Sequence, residues 1–448
     1  MKVLVIGSGG REHTLIWALK HTSALPLKLY CAPGNAGIAQ LAECVDISAN
    51  NHAALMDFAR AQGIDLTVVG PEAPLANGIV DEFENNGSKI IGPSRAAARL
   101  ESSKAFAKDF MRRQQIPTAD YVIANSGDEA LQELRTGRFG NADAPIVVKA
   151  DGLAAGKGVI VAASHAEAER AIAELLSGTL VAPEAATQIL LEEALEGREV
   201  SILLFADGAD YALMPAARDH KRVGESDTGP NTGGMGAITD DSVVDAATLD
   251  RIVREVVQPT LNGAIKEGFP FRGILFIGLM LTEAGPTVLE YNVRFGDPET
   301  QAILIRLESD LFELFQAMAD GRLKDIDVRW DEGSSACVVL ASGGYPGSYQ
   351  TGARIEGLDR VIVGPELQVF HAGTSWSETG ELVTAGGRVL GVTARQASLD
   401  LALAQCYGAI DNIDWPGKQY RRDIGCFGQK ARSSESKIWP AFQGPRQP

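Results

Sequence analysis

The first hundred residues alternate short apolar runs with amphipathic stretches, and this alternation narrows the possible folds more than any other feature. Val3-Leu-Val-Ile6, Leu27-Lys-Leu-Tyr30, Asp65-Leu-Thr-Val-Val69 and Lys89-Ile-Ile91 read as strands, with helical stretches such as Thr14–Lys20 between them. Strands separated by helices predict an open parallel sheet covered by helices, an α/β architecture. With 448 residues the chain exceeds one core and has length for about three domains.

The helical stretch Ser102–Met111 leads out of this first unit. From about 120 to 193 a compact α/β module follows. Ser126-Gly-Asp-Glu129 and Ser164-His-Ala-Glu167 have the pattern of helix capping boxes. Ile146–Lys149, Gly158–Ala162 and Gln188–Glu192 read as its strands. Further strands are expected near 200–214, 273–282 and 287–295, then many short strands with glycine turns and one helix near 398–412. The polar, proline-containing end of the chain is expected to be poorly ordered.

A net charge of −17 argues against wrapping nucleic acid. It leaves room for a polyanionic small molecule held by a local cluster of cations and N–H groups. The five cysteines are scattered and form no Cys-x-x-Cys pair, which points to a reduced, cytoplasmic setting. The chain opens as a strand with no secretory signal, and no apolar run is long enough for a membrane span.

The chemistry concentrates in Glu290-Tyr-Asn-Val-Arg-Phe-Gly-Asp-Pro-Glu-Thr-Gln301. Side chains on a strand alternate between faces. Leu289, Tyr291, Val293 and Phe295 therefore form an apolar face suited to a core, and Glu290, Asn292 and Arg294 form a polar one. Carboxylate and amide oxygens are what a hard cation such as Mg²⁺ takes, and a guanidinium beside them can clamp a carboxylate or phosphate.

Two glycine-rich loops add phosphate-binding capacity. Gly7-Ser-Gly-Gly-Arg-Glu12 follows the first strand, but Glu12 stands at the third glycine position of a dinucleotide fingerprint. The second strand also ends without an acid for a ribose diol, so a phosphosugar suits this loop better than NAD. Gly34-Asn-Ala-Gly37 and Gly70-Pro-Glu-Ala-Pro-Leu75 follow later strands and line the same crevice, unless they are ordinary turns. Lys149-Ala-Asp-Gly-Leu-Ala-Ala-Gly-Lys-Gly158 has the wrong spacing for a Walker A loop; it reads as a strand–turn–strand that folds over phosphates, or a plain hairpin. Glu192-Glu-Ala-Leu-Glu-Gly-Arg-Glu199 offers acceptors for an adenine amino group and ribose hydroxyls, or is a solvated face. Residues 219–236 form a long polar, glycine-rich loop of functional character.

In order and in wording these pieces resemble the phosphoribosylamine–glycine ligase (glycinamide ribonucleotide synthetase) family of the ATP-grasp superfamily. The resemblance is carried by GSGGREH, GPEAPLANGIVD, LESSKAFAKDF, IPTADY, VVKADGLAAGKGV, DHKRVGESDTGPNTGGMGA, EYNVRFGDPETQ, FHAGT and GGRVLGVTA, and runs from residue 1 to about 428. It implies an ATP-grasp fold with an N-terminal Rossmann-like parallel-sheet domain (1–101), an ATP-grasp domain (102–328, with a lid subdomain about 120–193), a small mixed α/β C-terminal domain (329–428) and a tail (429–448). It implies ligation of glycine to 5-phosphoribosylamine at the expense of ATP, with Mg²⁺ or Mn²⁺ as cofactor, by a cytoplasmic monomer working on small molecules alone, without nucleic acid or membrane. Another ATP-grasp carboxylate–amine ligase is the alternative.

By position, the resemblance gives Lys104, Lys149, Gly152, Gly156, Lys157 and Gly158 to the ATP phosphates, with 151–158 as a lid. Glu192, Glu193 and Leu195 fall to adenine and Glu199 to ribose. Glu290 and Asn292 are the implied metal ligands, and Arg294, Lys149 and Glu290 the catalytic set. Gly9, Gly10, Asn35, Glu72, Asp219, Lys221, Arg294, Asp297, Pro298 and Glu299 are implied contacts to phosphoribosylamine or glycine. Two departures stand out: Arg218 where glutamine is expected, and Gly236-Ala-Ile-Thr-Asp-Asp241 in place of a Ser-Pro-x-Pro continuation.

Overall fold

The computed structural model describes residues 1–154, 158–178, 181 and 183–427. The tail expected at 429–448 lies outside them. The first strand, Lys2–Gly7, is buried along nearly its whole length because it is central in a five-stranded parallel sheet. The order is Glu43–Cys44, Lys28–Pro33, Lys2–Gly7, Leu66–Val69, Ile90–Ile91. Later strands add on both sides of the first, so the order reverses beside its C-terminal end, where open α/β sheets form their crevice. The glycine loop Gly7–Gly10 lies at this point, followed by the helix Gly10–Thr22.

The expected helix over Ser102–Met111 is two helices, Arg95–Ser102 and Lys104–Arg113, broken at Ser103. Ser103 caps the second one by accepting from the Phe106 N–H at 3.1 Å. Asp151, from the distant glycine-rich turn, accepts from the Ala105 N–H at 2.7 Å and from the Ser103 hydroxyl at 3.1 Å. The turn is thereby tied to the start of this helix.

Residues 121–193 form a four-stranded antiparallel sheet, in the order Tyr121–Ala124, Ile189–Glu193, Ile146–Ala150, Val159–Ala162. The helices Gly127–Leu134 and His165–Leu176 pack their Ala130, Leu134, Ile172 and Leu175 against Ile146, Val148 and Leu191, giving this layer a core of its own. Both helices start as read: Ser126 and Ser164 accept from the N–H groups of Glu129 and Glu167.

A nine-stranded sheet holds the rest. Its path is Pro286–Asn292, Arg272–Leu281, Arg198–Asp207, Ala217–Asp219, Gly236–Thr239, Ser334–Ala341, Arg388–Gln396, Leu367–His371, with Tyr211–Leu213 also paired to Arg198–Asp207. Gly236–Thr239 pairs directly with Ser335–Val338, so the sheet passes without an edge from the segment that carries Glu290 into the C-terminal segment. The parallel sheet shares a core with this one, in which Val3, Val5 and Leu15 join Phe205, Phe276, Phe295 and Phe312. The long polar stretch expected after Asp219 contains a small hairpin, Arg222–Gly224 against Thr228–Asn231. No helix among the described residues is long and apolar enough to cross a membrane.

Candidate active site

The polar face read from the sequence forms, with one correction. Glu290 pairs with Gly278, but the next pair is Val288 with Leu279, so the strand bulges at Leu289. The extra residue shifts the alternation. Val288, not Leu289, enters the core beside Tyr291 and Val293, and Leu289 is half-buried on the other side. Phe295 is buried as expected. The bulge also exposes the Leu289 carbonyl, which accepts from Lys149 Nζ at 3.2 Å.

Glu290 lies among cations. Burial alone would raise its carboxyl, but Lys221, Lys149, Lys104 and Arg294 together overcome this and hold it below the ordinary carboxylate range. Burial pushes the Lys104 ammonium down, with Lys149 adding to the effect and Glu290 opposing it. Lys104 Nζ donates to the Gly152 carbonyl at 3.0 Å, so it reaches the glycine-rich turn from the opposite side. Of that turn, Gly152 and Gly158 are described; Gly156 and Lys157 lie outside the described residues.

Lys149 also donates to Glu192 Oε2 at 2.8 Å, and Lys108 pairs with the same oxygen at 2.8 Å. Both Lys108 and Glu192 are fully enclosed, at 2% side-chain exposure. Burial pushes the Lys108 ammonium down to about 8 against the pull of Glu192. Glu192 Oε1 is buried with no hydrogen-bond partner among the described residues. Glu193 is exposed at the end of its strand, and the Leu195 N–H, in the following loop, has no partner among the described residues. Glu199 accepts from Lys221 at 2.7 Å.

Replacing Lys108 with methionine keeps its volume but leaves Glu192 with one cation. Breaking a buried pair from one side costs about 3 kcal/mol or more. We expect a loss of about that size in chemical denaturation, with weaker nucleotide binding by titration. Unchanged stability would show that Lys149 alone satisfies Glu192.

Arg294 stands just beyond the strand and is braced by acids from two helices. Its Nη2 forms an ion pair with Glu101 Oε1 at 2.9 Å and donates to Asn292 Oδ1 at 3.0 Å, and its Nε lies 3.4 Å from Glu72 Oε2. Glu101 is fixed in turn by the Val293 N–H at 2.7 Å. Burial raises the Glu101 carboxyl, whereas in Glu72 Arg294 and Arg11 outweigh burial and lower it.

A second acidic group surrounds Lys221. Burial raises Asp219 and also Glu299, which burial and the nearby Asp219 push up to about 8, although Lys221 and Arg294 oppose the shift. A carboxyl with a higher pKa in the folded than in the unfolded chain makes the folded state take up a proton. The stability it contributes is present below about pH 4.5 and is lost as pH rises through about 8. Glu299→Gln removes that loss. Relative to the parent, the variant should gain on the order of a few kcal/mol between pH 5 and 8.5 in urea unfolding; a parallel pair of curves would remove Glu299 as the titrating group.

The glycine loop is filled by acids. Glu12 Oε2 accepts from the Gly9 N–H at 2.5 Å and its Oε1 from Arg11 Nε at 2.6 Å. A Cβ on Gly7 would meet Glu12 Cδ at 2.6 Å, and one on Gly70 would strike the same carboxylate. The glycines here make room for a side chain of the protein itself, in the space where a dinucleotide would place its phosphates. Asp297 lies on the other side, its Oδ2 3.6 Å from where a Cβ of Gly9 would stand and its Oδ1 3.8 Å from that of Gly10. Pro298 follows against Gly234. The Asn35 amide is consumed internally: it donates to Ser8 and His371 carbonyls at 2.8 and 2.9 Å and accepts from Gly37 and Ile38.

The donor set fits a hard divalent cation that draws much of its shell from elsewhere. Among the described residues Glu290 accepts no hydrogen bond, no group of three His, Cys, Asp or Glu side chains converges, and the oxygens at hand are those of Glu290 and Asn292. A cation held by two protein oxygens and by substrate phosphates matches that supply.

Family models match nearly end to end. The N domain of phosphoribosylglycinamide synthetase matches residues 1–101, its ATP-grasp (A) domain 102–300 and its C domain 335–426. The chain belongs to the phosphoribosylglycinamide synthetase family. It is 48% identical over 425 residues to the phosphoribosylamine–glycine ligase of Brucella melitensis, covering 95% of this chain and 97% of that one. The crystal structure of the Thermotoga maritima phosphoribosylamine–glycine ligase superimposes with a TM-score of 0.80 at 32% identity, over 94% of this chain and all of that one. The biotin carboxylase domain of a Hydrogenobacter thermophilus 2-oxoglutarate carboxylase, solved with MgADP and bicarbonate, shares the fold (TM-score 0.69, 18% identity, 94% and 91% covered). The ATP-grasp fold and an ATP-dependent carboxylate–amine ligase of purine biosynthesis follow, with a divalent metal as in the family.

Sequence reading gave no individual role to three polar residues of this site. Lys108 follows Lys104 by one helical turn, a spacing that puts both on one face. Glu101 precedes the helix break, and Asp151 sits inside the glycine-rich turn. The i, i+4 lysine spacing was the available signal; nothing local indicated the other two.

Proposed function

We propose that this chain joins glycine to 5-phosphoribosylamine through glycyl phosphate, releasing ADP and phosphate and giving glycinamide ribonucleotide. The observation that carries the reading is the complete set Lys104, Lys149, Glu290, Asn292 and Arg294 around one buried crevice, in a chain of this family.

Lys104 and Lys149 would hold the ATP phosphates beneath the 151–158 turn. Glu192 Oε1, a buried acceptor without a donor among the described residues, suits the adenine amino group, and the Leu195 N–H, unpartnered among the same residues, suits a ring nitrogen. Glu199 would take ribose. Glu290 and Asn292 would hold Mg²⁺ or Mn²⁺, which when bound neutralises charge on the transferring phosphoryl group. Arg294 would grip the glycine carboxylate. One carboxylate oxygen attacks the γ-phosphorus as the bond to ADP breaks. The amine of phosphoribosylamine then attacks the acyl carbon, phosphate leaves and the amine loses a proton. Asp219, Lys221 and Glu299 would face the amine and glycine ends, with Gly9, Gly10, Glu72 and the Asp297–Pro298 turn as the wall of the crevice. Enclosure by the 151–158 lid would protect the acyl phosphate from water. The reading extends to a monomer acting in the cytoplasm on small molecules, with units 1–101, 102–328 and 329–428.

The test is ADP release with ATP, glycine and freshly prepared phosphoribosylamine, omitting each in turn. Full dependence on all three is expected. Turnover with a different acid–amine pair and none with this one would overturn the reading.

A further inference from the structure

Resting on that reading, we propose that Arg388, from the C-terminal segment, binds the 5-phosphate of the phosphosugar substrate and so sets the enzyme's preference for a phosphorylated amine. The sequence suggests the glycine loop for this task, but its anion positions are taken. Glu12 occupies the Gly9 N–H, and Asp297 lies against Gly9 and Gly10. A dianion cannot join two fixed carboxylates unless a cation stands beside them.

Arg388 is that cation. Its Nη1 donates to the Gly233 carbonyl and to the Asp297 carbonyl, both at 2.6 Å, and lies 3.5 Å from Asp297 Oδ1. One nitrogen therefore fixes the guanidinium against two loops of the crevice. The other edge is uncommitted: among the described residues Nε and Nη2 make no hydrogen bond, and neither is a closed-off buried atom. Arg388 keeps 22% of its side chain open. An anchored guanidinium with an open Nε–Nη2 edge presents the parallel donors that fit two phosphate oxygens. Tyr345 stands alongside, its hydroxyl accepting from the Gly233 N–H at 3.1 Å. Burial would lower the Arg388 charge, but Asp297 and Tyr345 keep it high. Asp297 is the unfavourable neighbour, and its Oδ1 is partly quenched by Gln301 Nε2 at 2.9 Å.

The test compares phosphoribosylamine with ribosylamine in the parent and in Arg388→Lys, which keeps a charge and a donor for the two carbonyls but loses the fork. For the variant, kcat/KM with phosphoribosylamine should fall on the order of 30-fold, and with ribosylamine less than about 3-fold. Ribose 5-phosphate should lose affinity by a similar factor in direct titration while ribose does not, and the KM values for ATP and glycine should hold. Equal losses for both amines would mean that Arg388 only braces the Gly233 and Asp297 loops, and would overturn the proposal. Absence of phosphoribosylamine-dependent turnover in the parent enzyme would overturn the functional reading instead; the ribose 5-phosphate titration would still decide whether Arg388 binds a sugar phosphate.

Discussion

Glu290→Ala should reduce turnover by at least ~100-fold while the melting temperature changes by no more than about 2 °C. The two halves of this expectation come from opposite faces of one strand. Val288, Tyr291 and Val293 hold the strand in the core and are untouched by the change. Glu290 itself makes no hydrogen bond among the described residues; its partners are the charges of Lys221, Lys149, Lys104 and Arg294. Its removal leaves those cations facing one another, with Lys104 already disfavoured by burial and by Lys149. A tetra-anionic nucleotide relieves that repulsion. Metal-free ATP should therefore bind the variant as tightly as the parent or tighter, and added Mg²⁺ should no longer raise affinity. Calorimetric titration with and without the metal separates this from a general loss of the site. Near-normal turnover would remove Glu290 from the metal-binding role.

What could be read from the sequence is what local pattern controls. The apolar run Val3–Ile6 and its glycine loop foretold the central parallel strand, because a strand buried on both faces is apolar throughout. The alternation through Glu290, Asn292 and Arg294 foretold their common face, since a two-residue period needs no partner to be recognised. Leu289 went to the wrong side because a bulge is a property of two strands: the shift arises between Gly278 and Leu279, on the neighbouring strand. Lys108 and Glu101 carried no signal of a site role, because their partners, Glu192 and Arg294, are far along the chain. The unbroken sheet from Gly236–Thr239 into Ser334–Ala341 was equally invisible, as pairing between Thr239 and Ser335 leaves no local trace. The glycine loop shows a different limit of local pattern. Its composition was read as room for phosphate, and the fold spends that room on Glu12.

Arg294→Lys tests the acid-substrate end. Arg294 is held in a frame of four groups, with Glu101 at 2.9 Å, Asn292 at 3.0 Å, the Phe295 carbonyl at 3.2 Å and Glu72 at 3.4 Å. The frame fixes the plane of the guanidinium, and a fixed plane makes two parallel hydrogen bonds to a carboxylate inexpensive in entropy. Lysine preserves the charge, so the acids remain paired and the fold should survive. It cannot offer two coplanar donors, and the loss of one charge-assisted hydrogen bond is worth roughly 1.5–3 kcal/mol. The KM for glycine should accordingly rise about 10- to 100-fold, and the KM for ATP less than about 3-fold, because the nucleotide cations Lys104 and Lys149 are elsewhere on the crevice wall. Glu101→Gln should give a milder effect of the same kind, since it loosens the frame without touching the fork. The two changes share one interaction, so their combined cost should be less than the sum of the separate costs. An equal rise for ATP and glycine in Arg294→Lys, or a rise for ATP alone, would move Arg294 to the nucleotide side of the site.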